Sequence, residues 1–227
     1  MNIVLLGSGK TGALVADIAR ERGHDVRVLT SAEKMNAQAL YDGAANDADV
    51  VIDFTTPHAV VKNIEACARA GKNMVVGTTG WYGDIPRMQQ LIERAGTGFV
   101  WGANFSIGVN IFFEIARSAA TALKLGYNGQ IMERHHIHKK DKPSGTAVGL
   151  QHVLQESGGK KLEISSLREG ETVGLHVVML DSPHDSILLT HDAKSRRGFA
   201  EGAVRAGEWV SVQKGFFDFK DIWRQLA

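Results

Sequence analysis

Apolar residues in the first hundred positions form short continuous runs separated by stretches with helical spacing. The runs fall at 3–6, 26–29, 50–54, 74–76 and 99–101, and the second and third each include one charged residue, Arg27 and Asp53. Predominantly apolar runs of this length are typical of strands buried on both faces, and the spacing in between is typical of amphipathic helices. Strands that alternate with helices predict an α/β fold with a doubly wound parallel sheet of the Rossmann type.

The pattern changes after residue 106. A helical pattern over 107–123 is followed by a strand at 131–137 and a helix beginning at Ser144. Alternating apolar runs at 162–167, 175–180 and 186–190 then predict further strands with turns between them. This mixture predicts a second, α+β domain. A last helical pattern at 200–209 and an apolar segment at 215–219 end the sequence.

A glycine-rich turn joins the first strand to the first helix. It reads Gly7-Ser8-Gly9-Lys10-Thr11-Gly12. In a βαβ unit the first glycine permits a tight turn, the second lets the backbone approach a pyrophosphate, and the third lets helix and strand pack closely. A glycine turn with a purely structural role is the alternative, but its place between strand and helix favours dinucleotide binding.

The end of the second strand bears on which dinucleotide is bound. NAD-binding units commonly place an acidic residue there, whereas this chain has Thr30 and Ser31, with Lys34 nearby. Neutral hydroxyls and a lysine tolerate a 2′-phosphate, so NADPH is expected to be at least as acceptable as NADH. Glu33 could still reach the ribose, and Lys34 could be an ordinary solvated lysine.

Polar turns follow three successive strands of the predicted sheet. Ligands of doubly wound sheets bind beyond the carboxyl ends of the strands, so these turns are expected around the nicotinamide. Any one of them alone could be a simple capping turn. The cofactor-binding residues predicted in these turns are Phe54, Thr55, Gly77, Thr78, Thr79, Ala103, Asn104 and Phe105.

The stretch 133–147 is the candidate active site, because it crowds three histidines and four cationic side chains before a proline and a small-residue turn. Pro143 cannot donate a hydrogen bond, and Ser144 has the chemistry of a helix N-cap. The free N–H groups of that helix start can bind a carboxylate or phosphate.

Three interpretations of this stretch compete. It could be a solvated basic loop, or a metal site built from His135, His136 and His138. Against zinc, no cysteine is near, and only His136 and His138 would share a face of the strand. The third interpretation is a proton-donating histidine beside a lysine that binds an anionic substrate, which the adjoining anion-binding turn favours.

Composition excludes several classes of function. The chain has 26 basic and 25 acidic residues and a net charge of +1, so nothing global points to nucleic acid. The single cysteine, Cys67, lies in an alanine-rich helical pattern and is expected to be a buried hydrophobe. Because the opening apolar run is too short for a signal peptide and no run approaches membrane-spanning length, we expect a cytoplasmic protein with no membrane partner.

The pattern Glu-x-His-His-x-x-Lys-x-Asp-x-Pro-Ser-Gly-Thr-Ala at 133–147 resembles the signature of the dihydrodipicolinate reductase family, enzymes of lysine and diaminopimelate biosynthesis. The resemblance implies that His135 is the acid and that His136 touches the substrate. It also implies that Lys139, with Ser144, Gly145 and Thr146, holds the substrate's carboxylates. Two positions depart from the usual pattern, because Lys142 replaces alanine and Thr11 replaces methionine.

The resemblance covers the whole chain and implies a function. NADPH or NADH would reduce the dehydrated ring of 4-hydroxy-tetrahydrodipicolinate, a small dicarboxylate. Residues 1–105 and the returning segment 196–227 would form the dinucleotide-binding domain, and 106–195 would form the substrate-binding and oligomerisation domain of a homotetramer. Arg196 lies where the chain crosses between domains, so a cofactor role and a plain salt bridge are both open.

Two other functions remain open from the sequence. One is a catalytically silent NADP-binding sensor of the same fold, which would be expected to have lost the acid or the lysine. The other is a different two-domain NADP oxidoreductase acting on a sugar or imine, which would lack the Pro-Ser-Gly-Thr turn.

Overall fold

The computed structural model describes residues 1–29 and 36–226. It separates into two compact units, Met1–Ser106 with Arg197–Ala227 (unit 1) and Ile107–Arg196 (unit 2). Unit 1 is therefore built from two separate parts of the sequence, and unit 2 is one continuous segment.

The strands in the described residues are β1 Asn2–Leu6, β2 Asp25–Leu29, β3 Val50–Asp53, β4 Asn73–Val76, β5 Gly98–Trp101, β6 Asn128–His135, β7 Glu163–Arg168, β8 Gly174–Asp181, β9 Ser186–Ala193 and β10 Gly215–Asp218. The α-helices are α1 Lys10–Glu21, α2 Asn36–Tyr41, α3 Pro57–Arg69, α4 Ile85–Ala95, α5 Ile107–Ala119, α6 Thr121–Lys124, α7 Gly145–Gly158, α8 Arg197–Val210 and α9 Phe219–Ile222.

Unit 1 contains a six-stranded sheet in the order β10-β5-β4-β3-β1-β2, with every pairing parallel. Successive residues of a strand point to opposite faces, and in β1 both sets are buried. Val4 and Leu6 belong to the core shared with α2, α3 and α4. Helices α1 and α8 pack together and α8 contacts β3, β4 and β5, so helices cover both faces. The doubly wound parallel sheet is confirmed.

Unit 2 is the predicted α+β unit. Its four-stranded sheet has the order β7-β6-β8-β9, in which β6 and β7 are parallel and the other pairs antiparallel. Helices α5 and α7 pack on one face, where Leu150, Leu154 and Val178 form part of a fully buried core. The opposite face presents apolar side chains that stay exposed on it; they are Met132, Leu167, Met179 and Leu188.

Two predicted elements of unit 2 were wrong in their bounds. The helix expected over 107–123 is divided, with α5 ending at Ala119 and α6 beginning at Thr121. The strand expected at 131–137 is β6, which begins at Asn128 and ends at His135, where its pairing with Arg168 ends. His136 and His138 therefore do not share a strand face.

Two smaller expectations concern the membrane and the cysteine. Within the described residues, no helix combines the length and the apolar character needed to cross a bilayer. Cys67 is fully buried in α3 among the core residues of unit 1, as predicted, and burial raises the pKa of its thiol.

Candidate active site

The glycine turn of unit 1 is fixed by close backbone approaches. Gly7 has φ of +97°, and a Cβ there would lie 2.5 Å from the carbonyl oxygen of Phe54. A Cβ on Gly12 would lie 2.2 Å from the oxygen of Gly7. Gly9 differs, because a Cβ there would meet nothing within 4 Å. The first and third glycines are required by packing, and the second faces open space at the start of α1, where a phosphate can approach.

A buried carboxylate connects two of the strand-end turns. Asp53, at the end of β3, accepts hydrogen bonds from Thr55 N and Thr55 Oγ1 at 2.8 and 2.7 Å. It also accepts from Asn63 Nδ2 at 2.7 Å and from Thr78 Oγ1 at 2.8 Å. Burial raises the pKa of Asp53, and these hydrogen bonds oppose that shift. The hydroxyls of Thr55 and Thr78 thus position the turns rather than project from them.

Aromatic rings support the remaining turns. A Cβ on Gly77 would lie 2.2 Å from Phe54 Cε1, so the ring of Phe54 requires a glycine at this point. The rings of Phe54 and Phe105 lie 6.3 Å apart between centroids. Asn104 Oδ1 accepts from Ser106 N at 2.9 Å. These turns all follow strands that end at the same edge of the parallel sheet.

The predicted cofactor residues differ in exposure. Those exposed at this edge of the sheet are Ser8, Gly9, Lys10, Thr79 and Ala103. Thr11 is half-buried beside them. Ser31 and Lys34 lie outside the described residues.

In unit 2, Ser144 caps helix α7 as predicted. It has extended backbone angles, φ −69° and ψ 155°, and its Oγ accepts from Ala147 N at 3.2 Å. The Lys142–Pro143 peptide bond that precedes it is cis. Gly145 is exposed, and a Cβ there would meet nothing within 4 Å. Thr146 follows in the first turn, half-buried. The start of α7 is therefore open to an anion.

His135 ends β6 against a buried carboxylate. Its Nδ1 lies 2.7 Å from Oε2 of Glu133, and the side chain of Glu133 is fully buried. The other oxygen of Glu133 accepts from Arg168 Nη2 at 2.9 Å and from the Ser144 backbone N at 3.3 Å. One carboxylate thus contacts both the candidate acid and the start of the candidate anion site.

Burial, hydrogen bonds and neighbouring charges shift the pKa values of Glu133 and His135. Burial would raise the pKa of Glu133, but hydrogen bonds from Ser166, Ser144 and Arg168 outweigh it and lower the value to about 2. Burial lowers the pKa of His135, and the negative charge of Glu133 counteracts this effect. Glu133 is therefore the group that favours the protonated form of His135.

Lys139 lies in the loop between β6 and α7. Its Nζ is 2.8 Å from Oδ1 of Asp141, and its backbone N donates to the oxygen of His136 at 3.1 Å. Arg168 Nη2 donates to the backbone oxygen of Asp141 at 2.5 Å. The same arginine that binds Glu133 therefore also anchors the loop that carries Lys139.

His136 and Arg196 meet within unit 2. Nη2 of Arg196 lies 3.2 Å from Nε2 of His136, and the backbone N of His136 donates to Thr172 O at 2.7 Å. Because an arginine can only donate, Nε2 of His136 acts as the acceptor in this contact. Arg196 thus lies beside a predicted substrate residue, and its predicted cofactor contact stays a prediction.

Sequence reasoning missed His176. It is 4% exposed, and its ring centroid lies 5.1 Å from that of His135. Its Nε2 lies 3.2 Å from Ser144 Oγ. In β8, His176 alternates with Val178 and Leu180 on the buried face, and this period of two was the signal that could have identified it.

Gly174 and Arg168 were also missed. Gly174 begins β8, and a Cβ there would lie 3.0 Å from His135 Nε2. Because Gly174 has no side chain, it leaves space for Nε2 of His135.

The group Glu133, His135 and His176 has ligand atoms within 4.8 Å of one another, so a metal site must be considered. Two ligands bound to one zinc at about 2.1 Å in tetrahedral geometry would lie roughly 3.4 Å apart. The 2.7 Å between Glu133 Oε2 and His135 Nδ1 is shorter than that spacing and is the distance of a direct ion pair. Arg168 already neutralises Glu133, which further disfavours a cation here.

The two units together define a class of protein. Unit 1 is a Rossmann-type unit with a glycine turn suited to a pyrophosphate, and unit 2 carries a buried histidine, a lysine and an anion-binding helix start. These are the parts of a two-domain, nicotinamide-dependent oxidoreductase that acts on an anionic substrate.

Comparison with known proteins identifies the family. The profile described as "Dihydrodipicolinate reductase, N-terminus" matches residues 1–105, and "Dihydrodipicolinate reductase, C-terminus" matches residues 108–223. The chain belongs to the dihydrodipicolinate reductase family. It is thus an oxidoreductase of lysine and diaminopimelate biosynthesis that uses NADH or NADPH.

Relatives and solved structures agree with this assignment. The 4-hydroxy-tetrahydrodipicolinate reductase of Christiangramia forsetii is 36% identical over 100% of this chain and 99% of its own length. That of Methanopyrus kandleri is 35% identical over 93% and 86%. The fold matches a dipicolinate-bound dihydrodipicolinate reductase from Paenisporosarcina sp. TG-14, with a TM-score of 0.79, 22% identity and coverage of 98% and 99%.

Proposed function

We propose that His135 is the proton donor in the NAD(P)H-dependent reduction of 4-hydroxy-tetrahydrodipicolinate to tetrahydrodipicolinate. The observation that carries this role is the 2.7 Å contact between His135 Nδ1 and the buried Glu133 carboxylate. A carboxylate at Nδ1 holds a proton there and turns Nε2 outward as the exchangeable position. Nε2 lies over Gly174, where the backbone leaves room.

The residues that follow β6 bind the substrate. Lys139 pairs with one carboxylate of the ring, and Ser144, Gly145 and Thr146 bind the other at the start of α7. His136 contacts the ring. Lys139 already neighbours Asp141, whose pKa it lowers against the opposing effect of burial, so the ammonium is held in place before the substrate arrives.

Unit 1 holds the dinucleotide, which supplies the hydride when it is bound. Gly9 and the start of α1 take the pyrophosphate, and the exposed edge formed by the turns after β3, β4 and β5 takes the nicotinamide half. Ser31 and Lys34 accept either the ribose hydroxyls or a 2′-phosphate, and Arg196 adds a further contact. We assign dinucleotide binding to a domain of residues 1–105 with 196–227, and substrate binding and oligomerisation to a domain of residues 106–195.

Initial rates of NADPH and NADH oxidation test the function, with the freshly generated product of dihydrodipicolinate synthase as the second substrate. Turnover that requires this product is expected with both cofactors. Tight binding of NADPH without turnover would instead favour the silent sensor. In a parallel titration, an affinity for NADH more than about a hundredfold above that for NADPH would exclude use of both cofactors.

We further propose a homotetramer in the cytoplasm, assembled through the open face of the sheet of unit 2. Met132, Leu167 and Leu188 are 50%, 53% and 64% exposed on that face. Apolar side chains grouped on one sheet face are typical of an interface between subunits. Analytical ultracentrifugation should give the mass of a tetramer, and Leu188→Asp should lower it. An unchanged mass for Leu188→Asp would place the interface elsewhere.

A further inference from the structure

Asp53 is a fully buried carboxylate at the carboxyl end of β3, and its hydrogen bonds connect three segments of unit 1. Oδ1 accepts from Thr55 Oγ1 at 2.7 Å and from Thr78 Oγ1 at 2.8 Å. Oδ2 accepts from Asn63 Nδ2, which lies in α3, at 2.7 Å. One side chain therefore joins the turn after β3, the turn after β4 and helix α3.

Thr78 is held through both its side chain and its backbone. Its hydroxyl donates to Asp53, and its carbonyl oxygen accepts from Trp81 Nε1 at 2.8 Å. Just before it, Gly77 N donates to the backbone oxygen of Asp53 at 2.9 Å and continues the pairing of β3 with β4. Thr78 is buried, whereas the next residue, Thr79, is exposed. The turn is thus fixed from its buried side and presents Thr79 on its open side.

The turn that contains Thr78 is separated from the glycine turn by the turn after β3. In the sheet, β3 lies between β1 and β4, and the glycine turn follows β1. Phe54 lies between the two outer turns in the same way. Its carbonyl oxygen would be 2.5 Å from a Cβ on Gly7, and its ring would be 2.2 Å from a Cβ on Gly77. A change at Thr78 therefore acts on the turn farther from the pyrophosphate site.

We propose that Asp53 is a positioning residue for the nicotinamide half of the dinucleotide, because it holds the turns after β3 and β4 at a fixed separation before the cofactor binds. Asp53 does not touch the cofactor and acts through Thr55 and Thr78. Turns that are already ordered in the free protein do not have to lose conformational entropy on binding. The inference rests on the proposed placement of the nicotinamide at this edge of unit 1.

The test compares the binding of NADPH with that of 2′-phospho-ADP-ribose, which is the same molecule without the nicotinamide ring, by calorimetric titration. Thr78→Val removes the hydroxyl and keeps the shape of the side chain. The Kd of NADPH should rise about tenfold, the cost of ordering roughly one residue of backbone on binding. The Kd of the fragment should change by less than about twofold, because its pyrophosphate binds at the glycine turn. A general loss of structure would raise both constants.

Two further variants control for the loss of a buried hydroxyl. Thr78→Ser keeps the hydroxyl and should bring the Kd of NADPH to within about threefold of wild type, as expected if the bond to Asp53 matters. Thr97→Val is the matched control. Thr97 is also buried in unit 1, just before β5, and its Oγ1 has no hydrogen-bonding partner among the described residues. This variant should leave both Kd values unchanged.

Asp53→Ala tests the carboxylate itself and should raise the Kd of NADPH at least as much as Thr78→Val does. Adding Thr78→Val to Asp53→Ala should raise it further by less than about twofold, because the shared bond is already lost. If Asp53→Ala does not fold, the variants of Thr78 and Thr97 decide. Equal increases of both Kd values in Thr78→Val, an unchanged Kd of NADPH, or failure of Thr78→Ser to restore it would each overturn the proposal.

Binding is measured without turnover, so the inference and the proposed reaction can fail separately. If the wild type binds NADPH more tightly than the fragment but does not oxidise it with substrate, the proposed reaction fails and the variants still measure the role of Asp53. If the wild type turns over and Thr78→Val binds NADPH normally, the reaction stands and the role of Asp53 fails. Equal Kd values for NADPH and the fragment in the wild type would also contradict that role.

Discussion

Glu133 and His135 lie two residues apart on the same face of β6, and their side chains meet at 2.7 Å. Alternate residues of a strand share a face, so this sequence spacing alone brings the carboxylate to the imidazole. Arg168, on the neighbouring strand, holds the carboxylate from the other side. The negative charge of Glu133 thus opposes the lowering of the pKa of the candidate acid by burial.

Replacing Glu133 with Gln should weaken the acid. The negative charge that raises the pKa of His135 is lost, so the pKa falls and less of the imidazolium is present at neutral pH. We expect kcat to fall roughly 10- to 100-fold and its pH profile to shift towards lower pH. Kinetics across pH measure this, with the exposed Glu156→Gln on α7 as control. An unshifted profile would contradict the role of Glu133.

Replacing His135 with Gln should affect chemistry more than binding. A group that donates its proton only as the transition state forms contributes little to the ground-state complex. We therefore expect kcat to fall by roughly 10²–10⁴ with little change in KM. Steady-state kinetics decide this, with His152→Gln, exposed on α7, as the matched control. Turnover close to wild type would remove His135 from the reaction.

Replacing Lys139 with Ala should affect binding and chemistry together. The ammonium pairs with a carboxylate that is present in both the ground and transition states. KM should rise roughly 10- to 100-fold, with a further loss in kcat. Lys140→Ala removes a neighbouring exposed lysine and should behave like wild type. If both variants lose activity equally, the effect is one of overall positive charge and not of Lys139.

Replacing Gly174 with Ala tests whether His135 needs the space beside its Nε2 atom. The new Cβ would lie 3.0 Å from Nε2, so the imidazole or the strand must shift. Small displacements of a catalytic group are costly, and we expect kcat to fall by about 10- to 100-fold. Gly83→Ala, where a Cβ meets nothing within 4 Å, is the control. Normal kcat in Gly174→Ala would show that the imidazole does not need this space.

Acid should destabilise the protein partly through His176. Its pKa is about 4 in the folded protein against 6.5 in the unfolded chain. The unfolded chain binds the proton first, so this stability is present above pH 6.5 and is lost as the pH falls towards 4. Between pH 7 and 5 the wild type should lose roughly 2 kcal/mol more than His176→Leu. Urea unfolding at both pH values measures this, and equal losses would contradict the assignment.

Features set by local rules were predictable from the sequence. The glycine turn and the Ser144 cap depend on residues within a few positions of one another. The same holds for the alternation of buried strands and helices that defines unit 1. Here the sequence pattern and the structure agree because steric and hydrogen-bonding preferences act over one turn or one strand.

The surroundings of His135 could not be predicted in the same way. Arg168 and His176 reach Glu133 only through the pairing of β6 with β7 and β8. The register that brings them together pairs residues from distant parts of the sequence, and the spacing within β6 alone does not encode it. The end of β6 at His135 could not be predicted from local spacing either, because it depends on where the pairing with β7 ends.

The division of unit 1 into two parts of the sequence affects how the protein is made. Strand β10 and helix α8 come after unit 2, yet β10 pairs with β5, and Gly202 of α8 packs so closely that a Cβ would lie 1.8 Å from Phe105 O. During synthesis, residues 107–196 leave the ribosome before the edge of β5 and this face of the sheet are covered. A chain released before residue 218 would expose an unpaired strand edge, which is prone to aggregation.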